Sequence, residues 1–286
     1  MSKVWIILAR PENPLNIGSV VRLTSNFGAL GVRIAGAKKF DKKKAAITAP
    51  NLEAEISKIK CFPNLEDALA DIQLSFGLTA RLRKFNAVVD FLPPRKAAEI
   101  AVRNSSQTHK IALVAGTEKS GLLNEELNLL NYAITIPTAQ NQSLNLAQAV
   151  GIALYEFFLA FNNPKIERNP FTDPAQLASA IELQRTARFL NEFLEKIDFF
   201  KKPAAATLSV TASRILKKMK LTEQENNFVF GILKHIIRLW DLSIKPPEKF
   251  VDKGTLFLPQ HDSNPTKKIE QAQSELDKSI DCDDKN

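Results

Sequence analysis

Cysteine, histidine and glycine are scarce in this chain. Two cysteines, Cys61 and Cys282, lie far apart, one in the body and one in a polar tail. That is the pattern of a reduced compartment, read here as cytoplasmic, and it excludes a disulfide framework. His109, His235 and His261 stand alone, and neither cysteine has a neighbour at ligand spacing, so no metal centre is expected. No run approaches the roughly 18 apolar residues of a membrane helix, and the first residues lack the apolar core of a signal peptide. The phosphate-binding signature G-x-x-x-x-G-K-[ST] is missing, and no G-x-G-x-x-G follows a strand, which argues against a P-loop enzyme and a standard dinucleotide dehydrogenase. A nucleophile elbow is absent as well.

What is present is the composition of a folded protein, 44% hydrophobic and 24% charged, with a net charge of +8 that favours an anionic partner such as nucleic acid. Its 286 residues suit one large domain or two ordinary ones. Strands are expected over Lys3–Ala9, Gly31–Ala35, Ile72–Thr79 and Ile111–Ala115, with a further short strand around Thr135 that Pro137 ends. Helices are expected from Pro14 to about Gly28, over Ala45–Ile59, over Leu65–Ala70, after Pro93 and Pro94 to about Arg103, and up to Leu130. This alternation argues an α/β domain with a mainly parallel sheet over the first 160 residues or so.

Eight of the ten glycines precede residue 152, several of them at strand ends, where a backbone turns sharply or approaches a ligand. After Pro137 a polar run leads to Ser143, which fits an N-cap, and to a helix with Leu144, Leu146, Ala147, Val150, Leu154 and Phe158 on one face. Asn145 is polar where a plain core helix requires nothing polar. The outline suits a loop that holds a small ligand by backbone groups, and equally an ordinary strand-to-helix connection.

Beyond Phe161 the pattern changes. Residues 161–174 read as a proline-broken linker, and 175–245 as all helical, with a capping box from Thr222 to Glu225 opening the last helix. Arg214, Lys217, Lys218 and Lys220 cluster on the middle helix, a solvated face that suits RNA. Residues 246–286 are polar, mixed in charge and poor in aromatics, the composition of a disordered tail.

Three glycine- and asparagine-marked loops remain, each following a strand. N-x-G-x-x-x-R with a following F-G (Asn16, Gly18, Arg22, Phe27, Gly28) resembles the first motif of the SpoU-class RNA ribose methyltransferases. Leu113 to Leu122, with Gly116, Glu118 and Gly121, resembles their second, and Ile136-Pro137 through Ser143-Leu144-Asn145-Leu146-Ala147 their third. Gly77 to Arg81 is similar to a segment of the TrmJ-type tRNA methyltransferases, and Ser213 to Ile236 to their helical extension.

The resemblance spans roughly residues 3–240. It implies a trefoil-knotted, mainly parallel α/β domain (the SPOUT fold) over 1–160, followed by an RNA-binding helical extension. It also implies S-adenosylmethionine as cofactor, tRNA as partner, a homodimer with active sites at the subunit interface, and methylation of the ribose 2′-hydroxyl at nucleotide 32 of the anticodon loop. By position, Leu78, Thr79, Ala80, Gly116, Ile136, Gln142, Ser143 and Leu144 would bind the cofactor. Arg22, Asn16, Ser143, Asn145 and Glu118 would serve catalysis, with Asn16 orienting Arg22. Arg22, Arg81, Arg83, Lys84, Arg214, Lys217 and Lys218 would meet RNA.

Overall fold

The computed structural model describes residues 1, 3–37, 39–80, 90–104, 108–139, 143–166, 177–197 and 215–244. Expectations for Arg81, Arg83, Lys84, Gln142, Arg214, most of the linker and the tail therefore lie outside the described residues.

The chain alternates β1 (Val4–Ala9), α1 (Pro14–Asn26), β2 (Gly31–Ala35), α2 (Lys42–Thr48), α3 (Glu53–Ser57), β3 (Lys60–Phe62), α4 (Leu65–Leu69) and β4 (Leu74–Leu78). It continues with β5 (Asp90–Leu92), α5 (Pro94–Arg103), β6 (Ile111–Ala115), α6 (Asn124–Asn128), β7 (Tyr132–Ile134) and α7 (Leu146–Phe161). The seven strands form one sheet in the order β3-β2-β1-β6-β4-β7-β5, and every pairing is parallel.

Both faces of this sheet are covered, which is why its strands read as unbroken apolar runs. Ile6 and Leu8 point into a core shared with α1, α2, α5 and α7, while Ile7 and Ala9 point into a second core with α4 and α6. Phe76 and Phe157 anchor the first core, edge to face with centroids 5.4 Å apart. Among the described residues no helix is long and apolar enough to cross a membrane.

Three local expectations are corrected. The helix expected over Ala45–Ile59 is two, α2 and α3, because Pro50 cannot continue a helix and Asn51 turns left-handed at φ 64°. The strand expected around Thr135 ends earlier, at Ile134. The helix expected from Ser143 starts at Leu146, capped by Asn145, whose Oδ1 accepts from the amides of Ala147 at 2.9 Å and Gln148 at 3.4 Å.

The helical extension comprises α8 (Ala180–Lys196), a single turn at 215–218 and α9 (Glu223–Ile244), opened by the Thr222–Glu225 capping box. Contacts gather Met1–Arg238 into one compact unit; of the remainder, the described part is the end of α9. Within that unit the extension is sewn to the body by backbone groups. The Ala180 amide donates to Ile72 O at 3.0 Å, and the Leu177 amide donates to Nε2 of the buried His109 at 3.1 Å. Burial, opposed by a backbone hydrogen bond at Asn104, pushes the His109 imidazole below its ordinary pKa, so it stays the neutral acceptor this contact needs.

Candidate active site

The carboxyl ends of β4, β6 and β7 open onto a cavity of about 340 Å³. Its lining draws on three chain segments: Leu78, Thr79 and Ala80 at the end of β4, Ala115 to Gly121 at the end of β6, and Ile134, Ile136, Ser143, Leu144, Leu146 and Ala149 from β7 to α7. Every described residue that the resemblance marks for cofactor binding lines it, namely Leu78, Thr79, Ala80, Gly116, Ile136, Ser143 and Leu144. The cavity is of the size that takes a small organic ligand.

The loop after β6 is folded back on itself. Gly121 donates its amide to Thr117 O at 3.0 Å, and Thr117 Oγ1 lies 2.7 Å from Ser120 Oγ while accepting from the Ser120 amide at 3.0 Å. Gly116 has to be glycine for this, since a Cβ there would run into the backbone of Gly121 and Leu122.

Glu118 ties this loop to the start of α1. Its Oε1 accepts from Asn16 Nδ2 at 2.8 Å and from the Asn13 amide at 3.1 Å, and its Oε2 accepts from the Glu12 amide at 3.0 Å. Burial pushes the carboxyl up, but the hydrogen bonds from Asn16 and from the amides of Glu12, Glu118 itself and Asn13 outweigh it and hold the group below its ordinary pKa. Glu118 is thus a fixed anion at the cavity wall.

Asn16 then passes the connection on: its Oδ1 accepts from Asn145 Nδ2 at 3.1 Å. Glu118, Asn16 and Asn145, one from each motif, form a continuous hydrogen-bonded chain across the three loops. Because Asn145 caps α7 with its oxygen, its amide nitrogen is left to point at Asn16. Ser143 is exposed and lines the cavity, two residues before Asn145, which caps the helix in its place.

Arg22 does not join that chain. It is exposed on α1 and makes no hydrogen bond or ion pair among the described residues, so the expectation that Asn16 orients it is not met here.

The extension's lysines also differ from expectation. Lys217 is turned inward with its ammonium on the carbonyl of Asn128, the C-terminal residue of α6, where a helix leaves carbonyls unpaired. Burial brings its pKa down to about 8. Lys218 reaches Asp90 Oδ1 at 3.2 Å and Lys220 reaches Asn104 Oδ1 at 2.8 Å. These cations fasten the extension to the body, and the half-buried Lys217 turns its ammonium toward α6 and not outward.

Sequence reasoning passed over Arg10. Its Nε and Nη2 grip Glu126 Oε1 and Oε2 at 2.9 and 2.8 Å just behind the cavity loop. The available signal was an arginine placed directly after a strand, ahead of Pro11.

A model of the SpoU rRNA methylase family matches residues 3–155, more than half of the chain. An uncharacterized tRNA/rRNA methyltransferase of Haemophilus influenzae is 30% identical over 253 residues, covering 85% of this chain and 98% of that protein. The tRNA (cytidine/uridine/adenosine-2′-O-)-methyltransferase TrmJ of Pseudomonas aeruginosa is 27% identical over 241 residues, 82% of this chain and 93% of its own. Among solved structures, TrmJ from Z. mobilis superposes with a TM-score of 0.68 at 26% identity, covering 81% of this chain and 98% of that one.

Proposed function

The chain belongs to the SpoU rRNA methylase family, and from that premise we propose that it transfers a methyl group from S-adenosylmethionine to a ribose 2′-hydroxyl of tRNA, at nucleotide 32 of the anticodon loop. One observation carries this reading: the cavity at the sheet's carboxyl edge is walled by the second and third motif loops and the end of β4, and the Glu118–Asn16–Asn145 chain ties the first motif to that wall. The same edge is where ligands bind in open parallel sheets.

The lining suits the cofactor. Leu78, Ile134, Ile136, Leu144 and Leu146 offer an apolar slot for a flat base, backbone groups of the folded-back loop offer polar partners, and the Glu118 anion complements a sulfonium cation. Bound there, S-adenosylmethionine supplies an electrophilic methyl carbon that no side chain of the protein possesses. What the protein adds is placement and charge. Holding a ribose oxygen in line with that carbon accounts for a large share of such accelerations, on the order of 7–11 kcal/mol in favourable cases.

Arg22 carries a guanidinium, which donates hydrogen bonds and accepts none. Its part is to bind the phosphate beside the target ribose and to stabilise the negative charge growing on the attacking oxygen. An exposed guanidinium that is unpaired among the described residues is free to do so. Ser143, at the mouth of the cavity, completes the pocket.

The exposed apolar side of α7 supports a homodimer. That helix is apolar nearly all round, Gln148 and Glu156 apart, with Val150, Leu154 and Phe157 buried, while Ile152, Tyr155, Phe158 and Leu159 remain 37–51% exposed. Phe27 of α1 extends this face, its ring 5.7 Å from that of Phe158. A helix apolar all round is normally covered, and a second copy laid on this face sets Arg22 of α1 near the seam. In the same reading residues 1–160 carry the cofactor in a knotted chain, and 175–245 contribute RNA contacts from surfaces other than Lys217.

Nucleoside mass spectrometry of unmodified tRNA transcripts incubated with the protein and S-adenosylmethionine, followed by fragment mapping, tests the proposal. A 2′-O-methyl at nucleotide 32 is expected. A methyl at another ribose overturns the position, a methyl found on ribosomal RNA alone overturns the substrate, and absence of cofactor binding overturns the reaction.

A further inference from the structure

Arg10 occupies a backbone conformation that its side chain disfavours. It follows β1 at φ 54°, in the left-handed region where glycine or asparagine is usual. The fold makes room for it, since a Cβ on Gly36 at the neighbouring strand end would lie 2.6 Å from Arg10 Cγ. A strained residue that persists against easier alternatives points to a use for its side chain.

That side chain spans two loops. The bidentate grip on Glu126 brings Nη2 within 3.5 Å of Gly121 O, and Glu126 Oε2 also accepts from the Leu123 amide at 2.7 Å. Glu126 is only 13% exposed in its side chain, against 34% for Arg10, so the paired oxygens are shielded from water. The anion holds the guanidinium above its ordinary pKa.

Gly121 closes the turn whose other residues, Gly116 to Ser120, line the cavity. Glu118 fastens the inner side of this loop to α1, and Lys119 pairs with Glu12 at 3.4 Å. The Arg10–Glu126 fork fastens the outer side to the end of β1.

We infer that Arg10 and Glu126 are positioning residues that set the shape of the cofactor-binding loop 116–122, acting through the carbonyl of Gly121 and the amide of Leu123. The inference rests on the reading of the cavity as the S-adenosylmethionine site, yet the brace itself is observable without ligand.

The test compares Arg10→Gly, Arg10→Lys and Glu126→Gln with the wild type. Glycine suits the left-handed backbone, so Arg10→Gly melts within a few degrees of wild type while losing the fork. Amide exchange over 116–122 in the unliganded full chain is expected to quicken in Arg10→Gly and Glu126→Gln. The dissociation constant for S-adenosylmethionine, by calorimetry, is expected to rise tenfold or more. The KM for the cofactor rises while kcat stays within about twofold, a split that a general loss of structure would not give. Arg10→Lys recovers part of the loss, because one ammonium cannot span both carboxylate oxygens. Unchanged exchange in the folded variants overturns the inference. Quickened exchange with unchanged cofactor affinity overturns its functional half. If the wild type binds no S-adenosylmethionine, the cofactor assignment fails on its own, and the exchange comparison still decides the brace.

Discussion

Arg22 and Lys217 are both cations in stretches that suit RNA, and the fold uses them in opposite ways. Arg22 stands exposed on α1 and unpaired among the described residues. Lys217 is turned, half-buried, into the junction of extension and body, where the end of α6 offers it a carbonyl. The difference lies in what each meets. Among the described residues the exposed face of α1 presents Arg22 with no acceptor, whereas Lys217, Lys218 and Lys220 meet a helix C-terminus, an aspartate and an asparagine. Positive charge in a sequence marks an outward-facing surface only where the fold supplies no internal acceptor.

The sharpest way to break this contrast is to remove the free cation. Arg22→Ala should lower kcat/KM on tRNA by about 10²–10³-fold, the loss typical of one stabilising donor, with the melting temperature unchanged. Arg22→Lys should restore only part of it, and near-full activity of that variant would show that charge without the planar fork suffices.

The inward-turned cation should answer in stability rather than in rate. Below pH about 8 the folded protein holds a partly desolvated ammonium at a cost. Between about 8 and the ordinary lysine value of 10.5 the folded state has lost this proton and the unfolded chain has kept it. The unfolding free energy therefore rises with pH across that window by on the order of 2 kcal/mol. Urea titrations of Lys217→Met should lack this rise relative to wild type, while its KM for tRNA stays put. A weakened KM would return Lys217 to the RNA surface.

Asn145 divides the two kinds of effect within one side chain. Asn145→Ala loses the cap of α7 and about 1 kcal/mol. Asn145→Asp keeps the capping oxygen but loses the donor to Asn16, so it should keep its stability while activity falls roughly tenfold through misplacement of the joined loops. Equal activity in the two variants would reduce Asn145 to a cap. The smallest effect is expected at the exposed Lys218–Asp90 pair, with side chains 54% and 58% exposed. Asp90→Asn should cost less than about 1 kcal/mol, and a larger loss would mean that the pair holds the extension in place.

The long elements could be read from the sequence, and the joints could not. β2, β6 and α5 sit where apolar runs and Pro94 put them. β3 and β5 have three residues each and a single partner strand, too short to carry a period. The three motif loops were found by order and spacing; the cavity gathers the second and third, and Asn16 ties the first to them. What escaped were couplings between residues more than a hundred positions apart, such as Asn145 with Asn16 and Arg10 with Glu126. Such pairs leave no local pattern. The cap at Asn145 was missed for a smaller reason: serine and asparagine stand two residues apart, and only the fold decides which closes the helix.

The strand order carries a consequence for how the molecule comes into being. β6 lies between β1 and β4, and β7 between β4 and β5, so the last two strands made are the ones that join the sheet's halves. While the chain emerges from the ribosome, β1, β2 and β3 have one another, but β4 has no neighbour until residue 111 and β5 none until residue 132. At roughly 5–20 residues per second the half-finished sheet keeps bare edges for seconds. Assembly dominated by such distant pairings is slow, and the centre of the sheet, which carries the cavity at its carboxyl edge, is completed last.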